Sequence, residues 1–142
     1  GAHHGIPVST VGALILNSRS ELLLIRTHKW SHRWGIPGGK IKRGETCGEA
    51  LVREIEEETA LAIRDIEFVM VQDCIEPPEF QRSAHFLLLN YVARCADENP
   101  RVVLNEEAQS FQWQPLDEAL RMDLNIPTRI LIEECVHRGL VT

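Results

Sequence analysis

The chain is organised around residues 38–61, where a glycine pair, a helix expected to start at Thr46 and a row of carboxylates follow without a gap. Thr46 and Glu49 make the capping-box pattern, a hydroxyl at the N-cap and a carboxylate three residues on. At about 100° per residue, Leu51, Val52 and Ile55 share a sector expected to face a core, while Glu49, Arg53 and Glu56 point away. Glu54, Glu57 and Glu58 fall on a strip beside that sector, because spacings of three and four make helical neighbours. Like charges held so close beside an apolar surface repel, so a proton is retained with a raised pKa or a cation sits among them. An all-oxygen cluster suits a hard divalent ion, and Mg²⁺ shares its remaining positions with phosphates. Pro37, Gly38 and Gly39 precede the helix and let bare backbone approach a ligand. Taken alone, the acidic run also fits a solvated face with an internal Glu49–Arg53 pair.

The preceding loop decides between these readings. Gly39, five residues, Glu45, seven residues, Arg53-Glu54, an aliphatic, one residue, Glu57-Glu58, two residues and Leu61 form a spacing that resembles the Nudix hydrolase signature. Ala60 stands where that family usually has glycine, a difference that bears on the helix end more than on chemistry. The resemblance implies metal ligation by Glu57 and Glu58, with a carbonyl from Gly38, and a metal-binding or general-base role for Glu54. It implies that Arg53 orients these glutamates and that Glu45 supports the loop. The implied cofactor is Mg²⁺, with Mn²⁺ as a substitute. Such an ion would neutralise charge on a diphosphate and activate a water.

With 142 residues and 44% hydrophobic content, the chain is expected to build one Nudix domain over 1–142. Its first five residues, with His3 and His4, read as a tag remnant or unstructured leader. A net charge of -6 argues against a general nucleic-acid binder. Cys47, Cys74, Cys95 and Cys135 include no C-x-x-C pair, no apolar run approaches a membrane span, and no secretory signal is seen. A cytoplasmic protein with reduced thiols is expected. Its partner would be a small nucleotide, with no nucleic acid and no membrane, and a homodimer is left open.

Apolar runs at 8–16 and 21–27, joined by Asn17-Ser18-Arg19-Ser20, predict a hairpin. Between it and the glycines, Trp34 and Ile36 should pack under the loop. Lys29 and Arg33 read as solvated, with Arg33 also a candidate contact to phosphate or sugar. Gly39 and Lys40 complete the candidate substrate contacts. Residues 63–75 and 84–95 predict two long strands. The intervening EPPEFQRS, barred from a central strand by two prolines, is expected to wall the pocket, and His85 reads as an ordinary strand residue. Short strands are predicted at 101–104 and 111–113. Between them, Glu107 resembles a glutamate that closes over the metal cluster in many Nudix enzymes as a ligand or base, while Glu106 and Glu107 equally fit solvated loop carboxylates. A short helix over 115–121 and a last one over 127–137, stopped by Gly139 and docked through Ile130, Leu131 and Val136, complete an α+β order with a mixed sheet between helices. The resemblance implies the same layout, an α/β/α sandwich.

The C-terminal half is similar to two Nudix subgroups, bacterial nucleoside triphosphatases and GDP-mannose mannosyl hydrolases. The mannosyl hydrolases attack sugar carbon, carry a degraded helix motif and use a loop histidine, whereas this chain keeps the full motif and has Ala108. The expected reaction is therefore Mg²⁺-dependent hydrolysis of a nucleoside triphosphate, deoxy or pyrimidine included, to a monophosphate and pyrophosphate. The alternatives are another diphosphate-linked substrate (ADP-ribose, a dinucleoside polyphosphate, a nucleotide sugar), release of inorganic phosphate, mannosyl hydrolysis, or a non-catalytic nucleotide sensor.

Overall fold

Nine consecutive residues, Val8–Leu16, form strand β1, whose positions from Val11 onward are all buried, as expected of a strand covered on both faces. The computed structural model describes residues 5–142, so His3 and His4 lie outside the described residues. The predicted hairpin forms with β2 at Leu22–Arg26, its turn held by Asn17 Oδ1, which accepts from the Arg19 and Glu21 N–H groups. A 3-10 turn at His28–Trp30 and the two-residue β3, Trp34–Gly35, lead to β4, Gly38–Lys40. Helix α1, Cys47–Thr59, follows, then β5 at Ile63–Ile75, β6 at His85–Cys95, β7 at Ser110–Gln114, α2 at Leu116–Arg121 and α3 at Ile126–His137.

The sheet runs β3-β2-β1-β6-β5, with β4 paired to β1 and β7 to β2. It is mixed: β1 and β6 are parallel, from Val8 opposite Phe86 to Leu16 opposite Arg94, and the other pairs are antiparallel. Alternation along the strands makes two cores. Leu14, Leu16, Leu22 and Leu24 pack with Ala119 of α2 and Leu131, Ile132 and Cys135 of α3. Val11, Ala13, Ile15, Leu23 and Ile25 pack on the other face with Ala50, Leu51 and Ile55 of α1. The layers are those of an α+β sandwich, and among the described residues no helix is long and apolar enough to cross a membrane.

Three expectations need correction. Residues 101–104 are not a strand: Val103 N–H donates to Thr59 O (2.9 Å) and Asn105 N–H to Glu58 O (3.2 Å), so the segment caps the last carbonyls of α1 instead of joining the sheet. Ile130 and Val136 face outward, and α3 docks through Leu131, Ile132 and Cys135. On α1, Val52 is exposed, while Leu51 and Ile55 are buried and Glu58 lies among them, because the Leu51, Ile55, Glu58 spacing is that of one helical face. Leu51→Ala should therefore cost about 2–5 kcal/mol in chemical denaturation and Val52→Ala under about 0.5 kcal/mol. Equal shifts of the two midpoints would refute this placement of the core face. Ala60 is left-handed (φ 62°) and its N–H reaches Glu56 O, so the turn forms without the glycine.

Candidate active site

The capping box holds the start of α1: Thr46 Oγ1 accepts from Glu49 N–H (3.1 Å) and Glu49 Oε1 from Thr46 N–H (2.9 Å). The bond from Thr46 N–H holds the Glu49 carboxyl below its usual range. Two turns on, Arg53 is the hub. Its Nε and Nη2 donate to both oxygens of Glu45 (2.6 and 2.8 Å), and its Nη1 to Glu54 (2.8 Å) and Glu57 (3.2 Å). Nη2 also donates to Lys40 O (3.1 Å), which ties helix to strand β4. The planar fork of arginine suits several carboxylates at once. Each partner stabilises the guanidinium charge, and the Arg53 pKa rises, with Glu45 the main cause and Glu54 the next.

The same pairing lowers Glu45 to about 2, with the Arg53 hydrogen bond first and the Lys42 N–H second. A carboxyl whose folded pKa lies below its unfolded value stabilises the fold above that unfolded value, here near 4.5, and loses the contribution as pH falls toward 2. Glu45→Gln should flatten the pH dependence of stability in that window. An unchanged acid limb in chemical-denaturation midpoints would show that the pair does not couple to folding.

Glu58 is placed differently. Only 2% exposed, it accepts from Gly38 N–H (3.1 Å). Burial pushes its carboxyl up to about 8; Lys29 and the Gly38 N–H oppose the rise, and the nearby Glu107 adds to it. Glu107 reaches the site because its loop is bonded to the end of α1 and Gln109 N–H donates to Arg26 O (2.8 Å). The Glu54 carboxylate lies against Gly39, where any Cβ would overlap it.

These groups open on a cavity of about 310 Å³ with two unlike ends. One is walled by Gly38, Gly39, Lys40, Lys29, Glu58 and Glu107. At the other, Phe80 stands edge-on to Trp30 (4.8 Å between ring centres) and to Phe86 (5.0 Å); Asn90 and Asn125 also line the wall. EPPEFQRS thus does wall the pocket, through Phe80, Gln81 and Arg82. Glu79 fastens this loop: its Oε2 accepts from Ile126 N–H at the start of α3 (2.8 Å).

The structure brings Gly38, Gly39, Lys40, Glu58 and Glu107 to one cavity and joins Glu54 and Glu57 through Arg53. Arg33 is not a cavity wall; it is half-exposed, with Nε 4.0 Å from Asp123 Oδ1. Lys29, read as solvated, is half-buried and faces the carboxylates. Trp34 and Ile36 pack against the core as expected. Asn90 was not foreseen as part of the pocket, nor was Gln72 as its hydrogen-bond partner. For Asn125, the residue order Asn-Ile-Pro was the available signal, an N-cap ahead of a proline; it does cap α3 by accepting from Thr128 N–H (3.0 Å).

Among the described residues no three His, Cys, Asp or Glu side chains converge as a ready metal cage, because Arg53 holds Glu54 and Glu57 while Glu58 lies under Gly38. The donor chemistry nevertheless fits a hard divalent cation: every candidate is an oxygen, and the buried Glu58 has a second carboxylate beside it.

Comparison with known proteins gives the family. Residues 7–135 match the NUDIX domain model. The chain is 32% identical over 101 residues to the nucleoside triphosphatase NudI of Escherichia coli, covering 68% of this chain and 72% of that protein. It resembles the crystal structure of a MutT NUDIX hydrolase from Burkholderia pseudomallei (TM-score 0.77, 32% identity, 90% of this chain and 97% of that one). It shares its fold with the NUDIX domain of Shewanella oneidensis NrtR, solved with ADP ribose (TM-score 0.78, 23% identity, 94% of this chain and 88% of that one). With the signature placed on α1 and its glycines beside the buried glutamate, the chain belongs to the Nudix family and is a Nudix hydrolase.

Proposed function

We propose that this protein hydrolyses a nucleoside triphosphate to the monophosphate and pyrophosphate with Mg²⁺, for which Mn²⁺ can substitute. The observation that carries this is the two-ended cavity, with carboxylates, two lysines and bare glycine backbone at one end and three aromatic rings at the other. Phosphates fit the first end and a base the second. The similarity to NudI, named a nucleoside triphosphatase, supports the same substrate class.

Glu57, Glu58 and Glu54, with the Gly38 carbonyl, are the groups that would hold the metal. Once bound, the ion would neutralise charge on the phosphates and ease deprotonation of a water. Lys29 and Lys40 add positive charge at the phosphate end, and Arg53 fixes Glu54 and Glu57. Glu54 or Glu107 takes the proton of the attacking water. The O–H bond of water breaks, a new P–O bond forms at the attacked phosphorus, and pyrophosphate leaves with the electrons of the broken anhydride bond.

A panel of nucleoside triphosphates, ADP-ribose, dinucleoside polyphosphates and nucleotide sugars, assayed with Mg²⁺ and with product identification, tests this reading. Nucleoside monophosphate and pyrophosphate are the expected products. Intact triphosphates beside a cleaved dinucleotide or sugar nucleotide would move the assignment to that class. Free mannose carrying ¹⁸O from water would mean attack at carbon, and binding without turnover with any metal would mean a sensor.

A further inference from the structure

On strand β6, Phe86, Leu88 and Asn90 alternate onto the cavity face, so an amide follows an aromatic and an aliphatic side chain along one wall. Asn90 is 5% exposed, and its Oδ1 accepts from Gln72 Nε2 (2.9 Å). Gln72, also buried, donates through the same nitrogen to the backbone carbonyl of Pro127 (2.8 Å). A carbonyl can only accept, which fixes the –NH₂ of Gln72 on that side. Oxygen must then be the atom that Asn90 turns toward Gln72, and its –NH₂ is turned away, toward the cavity it lines. The orientation of both amides follows from one obligate acceptor, Pro127 O.

Asn90 stands opposite Gly12, and Gly12 opposite Gly38, so the amide lies two strands from the phosphate end, about 10 Å at the spacing of a sheet. A sugar with its first phosphate spans such a gap. Asparagine reads adenine by pairing its oxygen with the amino group and its nitrogen with a ring nitrogen. With its oxygen turned to Gln72, Asn90 faces the cavity as a donor and does not offer the oxygen–nitrogen pair that reads adenine.

We propose that Asn90 is a base-selecting residue, oriented by Gln72, which donates to a carbonyl oxygen of the base and favours guanine and uracil or thymine nucleotides over adenine ones. The proposal rests on the hydrolytic reading for the seating of the phosphates and names the substrate within it. Gln72 is a positioning residue, since it acts only by holding Asn90.

Equilibrium titration with α,β-imido triphosphates, whose α–β bridge is not hydrolysed, in Mg²⁺ tests the assignment without requiring turnover. The guanosine and uridine compounds should bind about tenfold more tightly than those of adenosine and 2-aminopurine riboside, the latter keeping the 2-amino group of guanine but lacking its 6-carbonyl and N1–H. Asn90→Asp keeps an oxygen for Gln72 but offers the cavity an acceptor, so the order should reverse. Equal affinities in the wild type overturn the proposal even where the variant folds poorly, as does a folded Asn90→Asp that keeps the wild-type order. Pyrophosphate release without base preference sinks this assignment alone; base preference without turnover of any triphosphate supports it and sinks the hydrolytic reading alone.

Discussion

Glu58→Gln is expected to lower kcat about a thousandfold, the scale of several kcal/mol of lost charge stabilisation. The fold should persist. The amide has the same shape, can still accept from Gly38 N–H, and removes a carboxylate that is buried beside another. A neutral amide with the same partner is no costlier to bury than a carboxyl that burial already pushes up to about 8, so the thermal midpoint should hold or rise. Glu57→Gln should also lose most of its turnover, yet through an exposed side chain paired with Arg53. Full turnover in both variants, measured by pyrophosphate release with saturating Mg²⁺, would end the assignment of the metal to this helix.

Gly38→Ala is expected to lower stability by about 3 kcal/mol and to abolish activity with it. A Cβ at Gly38 would overlap Val11 O and lie 2.7 Å from Gly12 Cα, and both are backbone atoms that can yield only if β4 leaves β1. The N–H that holds Glu58 would leave with it. Gly39→Ala differs in kind. There the new methyl meets the carboxylate of Glu54, the far end of a side chain that can swing aside, so stability should fall by less than about 1 kcal/mol. Turnover should nevertheless fall about a hundredfold, because displacing a catalytic group by roughly 1 Å has that cost. Denaturation midpoints and kcat for the pair check both claims. A Gly38→Ala protein as stable as the wild type would show that β4 is not pinned against β1.

Most of the fold was legible because its signals are local. The capping box sets the start of α1, the apolar runs set the hairpin and the long strands, and the order of elements leaves few ways to layer them. Part of the site was legible for the same reason, since Arg53, Glu54, Glu57 and Glu58 share one helix and the glycines precede it in sequence. Errors came where partners are distant. Residues 101–104 have strand composition, but their N–H groups found the free carbonyls of α1 before any strand edge. Lys29 and Arg33 look alike in sequence, yet the 3-10 turn puts Lys29 beside Glu58 while Arg33 sits near Asp123.

The sequence by itself determined the helix that carries the acidic residues, the glycine approach to it, the mixed sheet and the family. Each depends on neighbours within a few turns or on a fixed spacing. Only the tertiary structure decided that Glu58 is the buried member of the acidic set, that Glu107 is brought to it by a loop bonded to the helix end, and that Gln72 and Asn90 face one another across β5 and β6. Burial and hydrogen-bond partnership are properties of pairs that the fold brings together, and nothing local in the sequence records them.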